Sequence, residues 1–128
     1  MSDWSIKIVK APSGKGAAFV PDLQGYNPGD PLPAQQDDLV SWNNTTSKTH
    51  QPWPTDENYN PLPDSQVPRG SPNYLSDPIP PRQSSRPNYD VAQPAGKPDS
   101  WTVYYYCKVH PKVTSERGTI EATVVPSS

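Results

Sequence analysis

Proline constrains the fold of this chain more than any other residue, because 19 of the 128 residues are proline and they occur along most of its length. Proline breaks the interior of a helix and cannot donate a hydrogen bond inside a central strand. A helical bundle and any long helix are therefore excluded. Short strands joined by long loops remain, and the length predicts one domain, 1–128, with a two-layer core.

Five segments alternate apolar and polar residues with the period of two that indicates strands. The clearest precedes Cys107, where Trp101, Val103 and Tyr105 share one face. The others cover residues 4–9, 17–20, 38–44 and 118–124. We expect one to three more strands in the middle of the chain, after residue 73. The pattern predicts an all-β Greek-key β-sandwich with a long Pro-rich loop insertion.

The Pro-rich insertion is predicted at residues 52–73. Two alternatives are open for it: a flexible excursion, or an ordered lid close to His50, held by the aromatic residues Trp53, Tyr59 and Tyr74. Polyproline segments are stiff and lose little entropy on ordering, and Trp53 follows His50 by only three residues. We therefore favour the lid and expect Trp53 to be shielded.

The only cysteine and both histidines of the chain come at or just after the ends of predicted strands. Cys107 ends one strand, and His110 follows three residues later in a turn stiffened by Pro111. His50 follows strand 38–44 and a polar turn. Taken singly, a lone cysteine is more often a small buried hydrophobe. Together, a thiolate and two imidazoles form the trigonal set that suits copper in an electron-transfer site.

At these residues the chain resembles the cupredoxins, the blue-copper proteins. The resemblance is carried by two segments and covers about half the chain. The first runs from Gly29-Asp30 to His50 and contains a strand with Trp-x-Asn; the second is Tyr-x-Cys107-x-x-His110-Pro followed by Gly118-Thr-Ile. It implies that Cys107, His50 and His110 bind one copper ion per chain, which cycles between Cu(I) and Cu(II). It also implies that His110 is the ligand nearest solvent and the exit for the electron.

The axial position departs from the family pattern. The usual axial methionine is missing, because the only methionine is Met1, and its place falls on Val113. The candidates for a fourth ligand are therefore Val113, Ser115, Glu116 and the carbonyl group of Thr49.

A carboxylate from Glu116 would favour Cu(II), lower the potential and shift the colour from blue toward red. Glu116 lies beside Arg117 on a polar loop, however, where solvation and a neighbouring cation compete with coordination. We therefore expect no strong side-chain axial ligand, with Val113 covering the metal.

Two neighbours of the ligands also depart from the pattern. Lys108 follows the cysteine where a small hydroxyl residue is usual, and Gln51 follows His50 where asparagine is usual. These differences put the hydrogen bonds to the sulfur in doubt.

The leading hypothesis is a one-electron carrier and not an enzyme. The alternatives are a copper-binding or delivery module and an open copper site that binds a small molecule. We expect a redox partner protein to dock near His110, with an acidic patch opposite Lys108, Lys112 and Arg117. The net charge of -2 gives no general attraction for nucleic acid or anionic membranes.

No apolar run approaches the 18 residues of a membrane span. The opening residues lack the apolar core of a signal peptide. We expect a monomer in the periplasm or outside the cell, with its leader removed.

Overall fold

The computed structural model describes residues 2–125, and this part of the chain contains eight strands and one short 3₁₀ helix. The helix is Asp64–Gln66. The strands are β1 (Asp3–Lys10), β2 (Ala17–Pro21), β3 (Leu32–Gln35), β4 (Leu39–Asn44), β5 (Pro52–Thr55), β6 (Tyr89–Asp90), β7 (Ser100–Cys107) and β8 (Arg117–Thr123). No helix in residues 2–125 is long and apolar enough to cross a membrane.

Two four-stranded sheets form a β-sandwich, which confirms the predicted fold class. One sheet has the order β2-β1-β4-β6 and the other has the order β3-β8-β7-β5. The pairs β1–β4 and β3–β8 are parallel, and the other pairs are antiparallel. Both sheets contribute to one apolar core, for example Ile8 and Trp42 from the first sheet and Tyr105 and Ile120 from the second.

The alternation read from the sequence is present in the strands that build this core. In β8 the inward positions are Gly118, Ile120 and Ala122, all buried. Gly118 allows Tyr105 to lie flat against the neighbouring strand, since a Cβ atom at residue 118 would be 2.4 Å from the Tyr105 ring. Tyr105 in turn makes edge-to-face contact with Phe19 and Trp42 at 4.9 and 5.4 Å. Each aromatic pair contributes about 0.5–1.5 kcal/mol beyond its buried area.

Two strands were not predicted, and both contain proline. β3 lies between the predicted strands 17–20 and 38–44, and β5 lies inside the predicted loop insertion. Both are edge strands. At an edge, the missing N–H of proline can face away from the neighbouring strand, so Pro33, Pro52 and Pro54 are tolerated there.

The segment 52–73 is therefore a sheet strand for its first four residues and irregular only from Asp56 onward. Trp53 is 4% exposed, which confirms its expected shielding. Its Nε1–H donates to the Leu62 carbonyl at 2.9 Å, and its ring contacts Tyr74 edge to face. Whether residues 52–73 are an insertion relative to other proteins stays a prediction.

The expected position of the lid near His50 is wrong. Trp53 pairs with Tyr106, and these two residues form a separate apolar cluster with Val67. Neighbouring residues of a strand point to opposite faces, so Tyr106 faces away from the side on which Cys107 lies. The segment therefore covers the outer face of the second sheet instead of the ligands.

Candidate metal centre

The loop between β7 and β8 holds three of the candidate ligands in one compact arrangement. Three successive turns run from Cys107 to His110, from His110 to Val113 and from Val113 to Glu116, each closed by a backbone hydrogen bond of 3.0–3.3 Å. The N–H of Cys107 then donates to the carbonyl of Glu116 at 2.9 Å. This bond continues the β7–β8 pairing one step beyond Tyr106 and Arg117, so Glu116 lies directly opposite Cys107.

Glu116 is almost fully buried, with 1% of its surface exposed. We expected the Glu116 carboxylate to be solvated on a polar loop, and its burial shows that this expectation is wrong. The parity of β8 explains the difference: Glu116 has the same parity as Gly118, Ile120 and Ala122, so its side chain points inward. Its Oε2 accepts a hydrogen bond of 2.9 Å from the N–H of Ala17 at the start of β2.

His50 reaches the same place from the connection between β4 of the first sheet and β5 of the second. It is 2% exposed and is fixed by two backbone hydrogen bonds with Ile79, of 3.2 and 2.7 Å. Its Nδ1 lies 3.6 Å from the sulfur of Cys107 and 3.2 Å from Oε1 of Glu116. The Nδ1 of His110 lies 3.5 Å from the sulfur and 3.0 Å from the same Oε1.

One donor atom from each of these four residues lies within 4.8 Å of the others. Ligands held about 2.0–2.3 Å from one ion lie about 3–4 Å from each other, which matches the measured separations from the sulfur and from Oε1. Sulfur, two imidazole nitrogens and a carboxylate oxygen are a donor set that suits copper or zinc. The residues present therefore fit a metal ion.

A second observation is consistent with a cation, either a proton or a metal ion, between His50 and Glu116. The Thr46 hydroxyl donates to Oδ1 of Asn44 at 2.7 Å, so its oxygen is left to accept the Nε2–H of His50 at 3.0 Å. Asn44 is itself oriented because its amide donates to the carbonyl groups of Lys48, Ile79 and Pro80. A neutral His50 therefore carries its proton on Nε2. A second proton, on Nδ1, or a metal ion would then join this ring to the Glu116 carboxylate, whose Oε1 lies 3.2 Å from Nδ1.

The ionisation of the two acidic ligands differs. Burial raises the pKa of the Cys107 thiol to about 11, although the N–H groups of Gln51, His110 and Val109 oppose the shift. Burial also acts to raise the pKa of Glu116, but hydrogen bonds from His50 and from the N–H of Ala17 outweigh it and leave that pKa below its ordinary value. Glu116 is thus an anion in the metal-free protein, whereas Cys107 loses its proton when a metal binds.

Backbone groups supply the hydrogen bonds to the sulfur that the unusual residues Gln51 and Lys108 had left open. The sulfur faces main-chain N–H groups of Gln51, Val109 and His110, which do not depend on the side chains of these residues. The N–H of Lys108 donates instead to the Gln51 carbonyl at 2.9 Å. The side chain of Gln51 instead donates to the Ser76 carbonyl at 2.9 Å, and Lys108 pairs with Asp64 at 2.9 Å. The positive charge of the loop is therefore partly neutralised.

The other axial candidates are placed differently. Val113 is half-buried and packs close to Gly16 beside the cluster. Ser115 turns away, since its hydroxyl donates to the Ala17 carbonyl at 2.8 Å. Thr49 is half-buried directly before His50, and a role for its carbonyl stays a prediction. Of the two histidines His110 is the more exposed, at 26%.

Comparison with known proteins shows the fold. By sequence, the chain matches no family model and no curated protein. By structure, it is similar to a purple cupredoxin from Nitrosopumilus maritimus, with a TM-score of 0.57 and 20% identity over 94% of this chain and 98% of that one. It is similar to plastocyanin from Dryopteris crassirhizoma, with a TM-score of 0.50 and 14% identity over 94% of this chain and 99% of that one.

It is also similar to the copper nitrite reductase from Nitrosomonas europaea, with a TM-score of 0.50 and 14% identity over all of this chain and 45% of the longer one. The chain is thus an all-β protein whose sandwich carries a His, Cys, His, Glu cluster at one end of the second sheet's central hairpin. Its fold is that of the cupredoxins, as the sequence resemblance implied.

Proposed function

We propose that this protein is a one-electron carrier that holds one copper ion with His50, Cys107, His110 and Glu116. The observation that carries the proposal is the convergence of four donor atoms within 4.8 Å on a cupredoxin fold. Bound copper supplies one-electron chemistry, because imidazole and carboxylate suit Cu(II) and thiolate suits Cu(I). In this proposal Glu116 would be the fourth residue that holds the ion, whereas the sequence predicted no strong fourth side-chain ligand and only a cover from Val113.

Rigid attachment of the ligands supports a carrier. Each of the four residues is held by hydrogen bonds that do not depend on a metal. Ile79 holds His50, and the Glu116 carbonyl holds Cys107. The Cys107 carbonyl holds His110, and the Ala17 N–H holds Glu116. An ion that changes its charge by one then meets the same donor geometry in both states. Small rearrangement on electron transfer is the property that a carrier needs.

The burial of the ligands favours a retained ion over a delivered one. His50, Cys107 and Glu116 are at most 2% exposed, so an acceptor protein would reach the ion only past His110. His110 is the exposed ligand, and Val109 beside it is 45% exposed. We place the electron exit and the docking of a redox partner on this surface.

Copper loading of the purified protein tests the proposal. We expect one copper ion per chain, a strong visible absorption band from the thiolate, and reversible reduction followed by potentiometry. Cys107→Ala should remove the band, because Cys107 is the only cysteine and no other thiolate can replace it. A wild-type protein that binds copper without the band, or that gives up Cu(I) to an acceptor without redox cycling, would contradict the carrier and favour the delivery module.

A further inference from the structure

A cavity of about 530 Å³ opens beside the candidate ligands. Its inner wall includes His50, His110 and Glu116, but the sulfur ligand does not line it. Its sides are the β1–β2 turn at Gly14 to Ala17, the turn at residues 45–48, and Val113. This volume is within the range of pockets that bind small molecules.

The mouth of the cavity is positively charged. Lys10, Lys48 and Arg82 line it, and all three are exposed. The ion pairs found among residues 2–125 include none of them. These cations stand in contrast to the net charge of -2 of the whole chain.

The cavity offers no competing negative charge at its mouth. Its single acidic lining residue is Glu116, which is buried at the inner end and already bonded to Ala17 and the two histidines. A concave site lined by one sign of charge concentrates ions of the other sign. Hydroxyl groups of Thr45, Thr46 and Ser47 add polar contacts along one side.

We propose that this cavity binds a small anion, inorganic or carboxylate, against the His50, His110 and Glu116 side of the metal site. The inference deepens the proposed function, on which it rests. Three cations draw the anion in, and the inner wall brings it close to the ligands.

Binding of an anion here couples to the oxidation state. With a thiolate and a carboxylate as ligands, the site carries one more positive charge with Cu(II) than with Cu(I). The anion therefore binds the oxidised protein more tightly, and by linkage it lowers the reduction potential. A tenfold preference for the oxidised protein corresponds to about 59 mV for a one-electron couple.

Amide NMR of the metal-free protein tests the cavity without depending on copper. The probes are azide and butyrate, added at constant ionic strength, and the one that saturates identifies whether the anion is inorganic or carboxylate. We expect saturable shifts confined to Gly14, Gly16 and residues 45–48. Shifts that do not saturate, or that spread over the whole surface, would overturn the proposal.

Matched double variants test the role of the cations. Lys10→Gln with Lys48→Gln should weaken anion binding at least tenfold. The control, Lys97→Gln with Lys112→Gln, removes the same charge from exposed residues outside the cavity and should leave binding within twofold of wild type. Equal weakening in both doubles would mean a general charge effect and would also overturn the proposal.

The two hypotheses fail in different ways. If the protein binds copper and cycles reversibly but the anion titrations are flat, the cavity proposal fails and the carrier stands. If copper gives no thiolate band, the carrier fails, and the NMR titration of the metal-free protein still decides the cavity. In the supporting case, the anion lowers the potential of wild type and control but not of the Lys10→Gln, Lys48→Gln double.

Discussion

Glu116 is the residue on which the character of the site depends most. Its carboxylate is ionised, buried and 3.0–3.2 Å from the Nδ1 atoms of both histidines, and Ala17 holds its other oxygen. A carboxylate beside copper stabilises the higher charge of Cu(II). In the proposed site, Glu116 therefore supplies a carboxylate, which favours Cu(II), where the usual methionine is missing.

Glu116→Gln is expected to change both the visible spectrum and the potential of the copper-loaded protein. The amide keeps the size of the side chain but removes its charge, so the preference of the site for Cu(II) over Cu(I) falls. Each tenfold loss of this preference raises the reduction potential by about 59 mV. Glu121→Gln, at an exposed position of the same strand, is the control and should change neither. If Glu116→Gln leaves the spectrum and the potential unchanged, Glu116 is not a ligand. The site would then have three ligands and be covered by Val113, as the sequence predicted.

The three nitrogen and sulfur ligands could be proposed from the sequence, whereas the role of Glu116 could not be decided. Only one cysteine and two histidines exist, so ligand chemistry alone selects them. A glutamate among 13 acidic residues is not selected that way. The missed signal was the alternation of β8. When this alternation is extended to the residue before the strand, Glu116 falls on the same face as Gly118 and Ile120.

Thr46 is expected to tune metal binding through His50. Thr46→Val leaves the Nε2–H of His50 without its acceptor, and loss of such an outer hydrogen bond costs about 10–100-fold in metal affinity. Thr45→Val is the control, because it removes a hydroxyl that donates to the Ile8 carbonyl and does not contact His50. Competition with a chelator for Zn²⁺ measures both. Equal affinities in the two variants would contradict the positioning role, and Thr46→Ser should restore the wild-type value.

At the scale of elements, the β1–β2 turn supports the metal site although it supplies no ligand. The turn places the Ala17 N–H against Glu116, and Gly16 leaves room for this contact. A Cβ atom at residue 16 would lie 2.4 Å from Cγ1 of Val113 and 2.7 Å from Oε2 of Glu116. Gly16 also has a φ of +70°, which side chains rarely adopt.

Gly16→Ala is therefore expected to displace Glu116 and to alter the spectrum and the potential in the same direction as Glu116→Gln. Gly14→Ala is a matched control, because residue 14 has a φ of +80° but nothing within 4 Å of an added Cβ. The control should lose only about 1–2 kcal/mol of stability from its backbone conformation. Urea unfolding and absorption spectra separate the two effects. A Gly16→Ala protein with the wild-type spectrum would show that the turn does not position the ligand.

Strands with alternating apolar residues could be predicted, including the edge strand β2, whereas the two proline-containing edge strands of the second sheet could not. In β1 and β7 the burial of alternate side chains shapes the sequence, so the pattern is visible. In β3 one proline and in β5 two prolines remove the usual strand signal, and pairing with a single neighbour decides the structure. Residues 52–55 were therefore assigned to a loop, although they pair with the strand that ends in Cys107.

At the scale of the whole molecule, the ligands come from distant parts of the chain and meet only when the sandwich forms. His50 precedes Cys107 by 57 residues and follows a strand of the other sheet. Any metal that binds the folded chain and not the unfolded chain therefore stabilises the entire domain.

Removal of the metal should accordingly lower the melting temperature. A free metal concentration 1,000 times the Kd stabilises the fold by about 4 kcal/mol. For a domain of this size that corresponds to roughly 10–15 °C. Zn²⁺ is a suitable probe because it takes the same donor atoms without redox chemistry. The Cys107→Ala protein is the control and should gain far less, and an equal gain in both proteins would place the bound ion elsewhere.

The last prediction concerns the proton that Cys107 gives up when a metal binds. Because burial raises the pKa of this thiol to about 11, the metal-free folded protein still carries the proton at pH 9. The sign follows from linkage: a raised pKa stabilises the metal-free fold fully below the ordinary thiol pKa, and this contribution is lost as pH rises toward 11. Metal binding needs the thiolate, so its affinity increases with pH over the same range.

Calorimetric titration of Zn²⁺ at pH 9, in two buffers of different ionisation enthalpy, counts the protons released. We expect about one proton per Zn²⁺, whereas a thiol with an ordinary pKa near 8.5–9 would already be half ionised or more and would release about half a proton or less. Cys107→Ala, which has no thiol to ionise, should release close to none at that pH. A count near one half in the wild type would show that Cys107 is not held in the buried, protonated state, and with it that the closed packing around the sulfur is wrong.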